Sequence, residues 1–180
     1  MSDCRVSPVV PGTRPALAEM EARIAAARGR ISPLYQVLLN SPAVVQGWEA
    51  MLTAIRLNTS LSPRVRELII LRVATLNNAP YEFDAHVPHA LAAGMPQAVV
   101  DQLRGGPQAD TVAGLEAGEA DVLALTDAMT RDIEVPDALF APLRSRYNDQ
   151  ELVELAATVA AYNMVSRFLE ALQIHSHDQR

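Results

Sequence analysis

Residues 63–78, PRVRELIILRVATLNN, place apolar side chains nearly all the way round a helical wheel. Ser62 followed by Pro63 gives this run a helix start, a capping hydroxyl and then a ring whose missing N–H costs nothing in the first turn. A helix without a polar face has to be enclosed on every side, so it belongs at the centre of a core. The rest of the chain must surround it, and that remainder is rich in alanine and leucine with only 4% aromatic residues. Such a composition favours helices, because these side chains lose little freedom there. The expected fold class is therefore all-α: one helical domain over residues 13–180 behind an extended arm at 1–12, where Pro8, Pro11 and Gly12 leave no periodicity.

The helices punctuate themselves. Leu17, Met20, Ile24 and Ala27 share a face of a first helix over 16–28. Ser32-Pro33 and Ser41-Pro42 repeat the start signal, the second for a helix reaching about Asn58. Asn77 or Asn78 is expected to cap a helix with Pro80 in its first turn and Gly94 as its stop, and Pro88 inside it should kink it. A short helix from Pro96 to about Leu103 leads to a loop at 104–111. Helices over 115–132, 136–147 and 149–174 follow, the last opened by an Asn148/Glu151 capping box. The pattern Glu-Leu-x-x-Leu occurs at Glu67, Leu68, Leu71 and again at Glu151, Leu152, Leu155, which suggests two related helical halves.

Several function classes fall away. The formal charge of -6 argues against non-specific nucleic-acid binding, which needs a basic face. All fifteen basic residues are arginine. A chain without lysine cannot form a lysine Schiff base, anchor pyridoxal phosphate or complete a P-loop. Arginine is then the cation available to grip a carboxylate bidentately. The lone Cys4 permits neither an internal disulfide nor dithiol chemistry. With no apparent signal core or run of about 20 apolar residues, no membrane association and a cytoplasmic location are expected. The alanine- and arginine-rich composition points to a GC-rich bacterial genome.

The chemistry concentrates in residues 78–90, NAPYEFDAHVPHA. Glu82 and His86, four apart, share a helix face, with His89 near that stripe. A carboxylate beside an imidazole fixes its tautomer and raises its basicity, giving an acid or base that works near neutral pH. The same spacing also occurs on ordinary exposed helix faces. A third reading makes Glu82, His86 and His89 metal ligands, although the kink at Pro88 leaves their aim open. His175 and His177 read as solvated tail, and Cys4 as inert.

The spacing from Glu67, twelve positions to Ala79, three to Glu82 and four to His86, resembles the carboxymuconolactone decarboxylase and alkylhydroperoxidase D (AhpD) superfamily. The upstream LYQVLLNSPAVVQGWEAML, the central HALAAGM and the closing ELVELAATVAAYNMVSRFLEALQI extend the likeness over nearly the whole chain. It implies an AhpD-like multi-helix bundle and symmetric homo-oligomers, often trimers or hexamers. The peroxidase branch has cysteines where this chain has Ala79 and Glu82, so the thiol peroxidase cycle is not expected here. The YExxxH form resembles instead the branch named for the decarboxylase.

That resemblance implies cofactor-free lyase or isomerase chemistry on a small organic acid or lactone, with no metal. Glu67, Glu82 and His86 would be catalytic, His86 moving the proton and one glutamate orienting it. Arg72 would hold the substrate carboxylate, with an ion pair to a neighbouring glutamate as its alternative. Tyr81 would donate a hydrogen bond or merely pack, and His89 would line the substrate side. The competing readings are a noncatalytic ligand-binding or scaffold protein that keeps the bundle and a peroxidase-related protein without thiol peroxidase activity.

Overall fold

A computed structural model describes residues 4–106 and 111–175; His177 and positions 107–110 of the expected loop lie outside them. Helices account for the regular structure, and no strand occurs among the described residues. In order they are α1 (Ala18–Arg28), α2 (Pro33–Leu38), α3 (Pro42–Thr53), α4 (Pro63–Leu76), α5 (Pro80–Ala92), α6 (Gln97–Arg104), α7 (Glu119–Arg131), α8 (Asp137–Arg146) and α9 (Asp149–Leu172). The all-α expectation holds.

The chain forms two compact units, Met1–Asn58 with Leu169–Arg180, and Thr59–Phe168. In the first, the arm runs along α2 and the end of α9: Val9 N–H donates to Gln36 O (2.9 Å) and Arg5 N–H to Leu172 O (2.9 Å). Leu17 and Ile24 are buried as their periodicity requires, and so is Glu21, whose Oε2 accepts from the Gly12 amide at 2.9 Å. α3 stops at Thr53 and passes into one π-turn, Ala54–Asn58, so the helix expected to reach Asn58 changes winding before its end.

The second unit is built around α4. Leu68, Ile69, Ile70, Leu71, Arg72 and Val73 are each 0% exposed, as an all-round apolar helix demands. α4 packs along α5, α6 and α7. Each fully buried leucine or isoleucine contributes about 1.5–3 kcal/mol of hydrophobic stabilisation.

Three start signals differ in use. Ser62 caps α4 by accepting from Val65 N–H (3.2 Å), whereas the Ser32 and Ser41 side chains make no cap bond and leave α2 and α3 to the proline at their first turn. The asparagines expected to open α5 instead finish α4. Asn78 takes φ 53°, and the Ala79 amide returns to Ala74 O at 2.8 Å. Asparagine tolerates this left-handed stop because its side chain can bond locally. Ala79 then becomes the residue before α5, and α4 and α5 form a helical hairpin joined by residues 77–79. Pro88 sits inside α5 without interrupting it. Asn148 and Glu151 form the reciprocal box at the start of α9, at 2.9 and 3.0 Å.

α9 qualifies by length and composition as a candidate membrane span, with a mean hydropathy of 1.2 in its best window, which the sequence reading did not anticipate. Half of that window is buried inside the fold, and a core helix meets the same criteria.

Candidate functional site

The helical hairpin brings Glu67 of α4 against His86 of α5. Glu67 Oε2 and His86 Nδ1 are 2.7 Å apart, with exposures of 2% and 7%. At this distance the ring donates Nδ1–H to the carboxylate, an assignment of hydrogen position that follows from the acceptor-only carboxylate. The neutral ring then carries its lone pair on Nε2, and an imidazolium formed there is stabilised by the buried anion behind it. The charge-assisted bond fixes both tautomer and ring plane.

Of the two glutamates expected to orient His86, Glu67 is the one bonded to Nδ1. Glu82 lies one turn before His86 on α5 and is 2% exposed, so the site contains a second buried carboxyl. Tyr81 is also buried. His89 is exposed, and its ring centroid stands 5.7 Å from that of His86 at a tilt of 54°. The face around Glu82, His86 and His89 thus runs from interior to surface. Among the described residues no group of three His, Cys, Asp or Glu side chains is arranged to hold a metal ion.

Arg72 occupies another place than a substrate clamp would suggest. Its side chain is 0% exposed, and its Nε and Nη2 each lie 2.6 Å from an oxygen of Asp127 on α7. The ion-pair alternative is therefore realised, with an aspartate from a distant helix instead of a neighbouring glutamate. That pair ties α4 to α7.

Two features had no signal in the sequence. Tyr162 of α9 sets its ring edge-on to His86, centroids 5.3 Å apart at 89°. Its helix is held by a polar network: Asn77 Nδ2–H donates to Asn163 Oδ1 (3.0 Å) and Ser166 Oγ (2.8 Å), Ser166 Oγ–H donates to Tyr162 O (2.7 Å), and Asn163 Nδ2–H donates to Thr130 Oγ1 (2.9 Å). The second feature is Arg66, whose Nε approaches Glu67 Oε1 at 3.6 Å. Nothing in local spacing distinguishes it from Arg64, which is closed onto Glu119 at 2.7 and 3.0 Å. The hydrogen bond to Glu119 also pushes the Arg64 guanidinium pKa above its ordinary value, against a smaller opposing effect of burial.

Residues 42–127, which contain Glu67, Glu82 and His86, match the model of the carboxymuconolactone decarboxylase family. No curated protein matches the chain. Among solved structures, an uncharacterized peroxidase-related protein with an alkylhydroperoxidase AhpD core, from Ralstonia eutropha JMP134, superposes with a TM-score of 0.83 at 18% identity, covering 98% of this chain and 93% of its own. A peroxidase-related protein from Silicibacter sp. TM1040 gives 0.83 at 21% identity, covering 99% and 94%. The debrominase Bmp8, as a cysteine-to-alanine variant in complex with 2,3,4-tribromopyrrole, gives 0.80 at 15% identity, covering 96% and 91%. At such identities the likeness is one of fold.

Proposed function

We propose, from the match of residues 42–127 to the carboxymuconolactone decarboxylase family and the AhpD-like fold, with Ala79 and Glu82 where the peroxidase branch has its cysteines, that the chain is a member of that superfamily and a cofactor-free acid–base catalyst. Its substrate is a small organic acid or lactone. The observation that carries this reading is the buried Glu67–His86 pair at 2.7 Å. A buried carboxylate bonded to the inner nitrogen of an imidazole is built to move a proton at the outer one. The fold alone does not choose the reaction, since a debrominase shares it.

In the decarboxylation form of the reaction, the bond between the carboxylate carbon and its neighbour breaks and carbon dioxide leaves. The electron pair passes into a conjugated carbonyl, giving an enolate. The His86 imidazolium, stabilised by Glu67, delivers its Nε2 proton to the enolate carbon and becomes neutral. Solvent then returns one proton to His86, so each turnover consumes one carboxylate and one proton. In an isomerisation the same nitrogen takes a proton from one carbon and returns it to another. Glu82, buried one turn away, shares the proton on this reading, while Tyr81 and His89 contact the substrate.

A support for acid–base over thiol chemistry is the composition of the site itself: the chain's one sulfhydryl, Cys4, lies in the other unit, and a dithiol cycle needs two. Assembly as a symmetric trimer or hexamer belongs to the same proposal, with exposed Met51 and Leu57 as apolar surface available for burial. Sedimentation showing only monomer at micromolar concentration would count against assembly. The catalytic reading is tested by following a panel of small lactones and keto acids in metal-free buffer with wild type and His86→Gln. A substrate turned over by wild type should lose about 100-fold or more in the variant. Equal rates, or no turnover by wild type, would sink it in favour of a noncatalytic binding or scaffold role.

A further inference from the structure

Three arginines, 64, 66 and 72, lie on α4, and they differ in what their guanidinium groups hold. Arg64 closes on Glu119 and also donates to Gly94 O at 2.9 Å. Arg72 closes on Asp127. Arg66 closes on nothing comparable: its Nε is enclosed yet has no hydrogen-bond acceptor among the described residues, and Glu67 Oε1 stands at 3.6 Å in a looser ion pair. That separation is beyond the 2.7–3.2 Å range in which an N–H group bonds an oxygen. Enclosing a charged donor without an acceptor costs stability, and an absent ligand is one explanation for such a group.

The position of Arg66 says what would use it. Glu67 offers one oxygen toward Arg66 and the other to His86 Nδ1, so the guanidinium stands one carboxylate away from the proton-transfer group. An acid substrate approaching His86 passes two buried carboxyls, Glu67 and Glu82, and a cation next to Glu67 favours its carboxylate there. The charges of Arg64 and Arg72 are already matched by closed pairs. Arg66 keeps 15% of its side chain exposed, against 0% for Arg72, so part of it is open to solvent.

We propose that Arg66 is the anion-docking residue of this site, taking the carboxylate of a small organic acid on its guanidinium N–H groups while Glu67 and His86 handle the proton. The assignment rests on the acid–base reading above, and it moves the substrate-gripping role from Arg72 to Arg66.

The test separates docking from turnover. Acetate and the lactone acid 5-oxotetrahydrofuran-2-carboxylate, with the methyl ester of the latter as neutral control, are titrated into wild type, Arg66→Gln and Arg66→Lys. Binding is followed by calorimetry and by the arginine Nε–Hε NMR signal that Arg66→Lys removes. Both acids should move that signal. The lactone acid should bind Arg66→Gln at least about 10-fold more weakly than wild type, the loss of a hydrogen bond to a charged group. Lysine should restore part of the affinity, and the ester should not distinguish the proteins. Equal acid affinity in wild type and Arg66→Gln, an unmoved signal, or no acid binding by wild type would each overturn the assignment. If the acids dock through Arg66 but His86→Gln turns over substrate as wild type does, the docking role stands and the acid–base reading falls.

Discussion

Arg72 and Asp127 hold one another through two N···O contacts of 2.6 Å, with the arginine entirely buried and the aspartate 15% exposed. Removing one member of such a pair strands the other's charge in the interior, which costs far more than the pair contributes. Asp127→Ala should lower unfolding stability by about 3–5 kcal/mol, measured by urea denaturation. A loss under about 1 kcal/mol would mean that the arginine finds another anion.

Changing the acceptor behind His86 should affect chemistry before stability. Glu67→Gln keeps the shape but removes the charge that stabilises the imidazolium. Turnover of any substrate found should fall about 10- to 100-fold, and nitrogen-15 spectra of the His86 ring should show a mixture of tautomers. An unchanged tautomer and an unchanged rate would remove Glu67 from the proton-transfer pair.

The edge of Tyr162 is a wall of the same pocket of packing. Tyr162→Ala should cost about 3–5 kcal/mol by leaving a cavity beside His86. Tyr162→Phe keeps the edge contact and should cost less. Thermal or urea unfolding of both variants settles the order, and equal losses would deny the ring edge its part.

Three serines precede helix prolines, but only Ser62 bonds a backbone amide. Ser62→Ala should lose about 1 kcal/mol, with Ser32→Ala and Ser41→Ala near neutral. Three indistinguishable variants in one denaturation series would contradict the difference in capping.

Glu154 supplies a pH signature. Desolvation pushes its carboxyl up, but hydrogen bonds from Gln150, from the Ser60 side chain and from the Ser60 and Leu61 amides outweigh it, so its pKa lies below the ordinary 4.5. A depressed folded-state pKa gives stability that is fully present above the unfolded value and fades as pH falls through the folded one. Wild type should therefore lose stability on acidification below about pH 4.5 more steeply than Glu154→Gln. Melting temperatures recorded across that range would expose parallel slopes if the carboxylate contributes nothing.

What the sequence made legible were local patterns. An apolar wheel declared α4 central, and Asn148 with Glu151 declared the start of α9, because each signal lies within a few residues. The spacing of Glu67, Glu82 and His86 pointed to α4 and α5, the helices on which Glu67 and His86 come into contact. Three things were out of reach. Asp127 meets Arg72 across fifty-five positions, and Tyr162 comes to His86 from a third helix, so tertiary packing alone pairs them. Asn77 and Asn78 carry signals that serve equally for ending one helix or starting the next, and the left-handed turn at Asn78 decided for ending. Arg64, Arg66 and Arg72 look alike as letters; only what each guanidinium meets in the fold tells them apart.

The short connection between α4 and α5 has an architectural corollary. Arg66, Glu67, Glu82 and His86 all lie on one uninterrupted stretch of chain that folds back on itself through residues 77–79. The candidate groups are therefore inherited as a cassette. New termini could be opened in the connection beyond α6 without parting any of the four, and a helical scaffold accepting this one hairpin would receive the whole candidate site in a single graft.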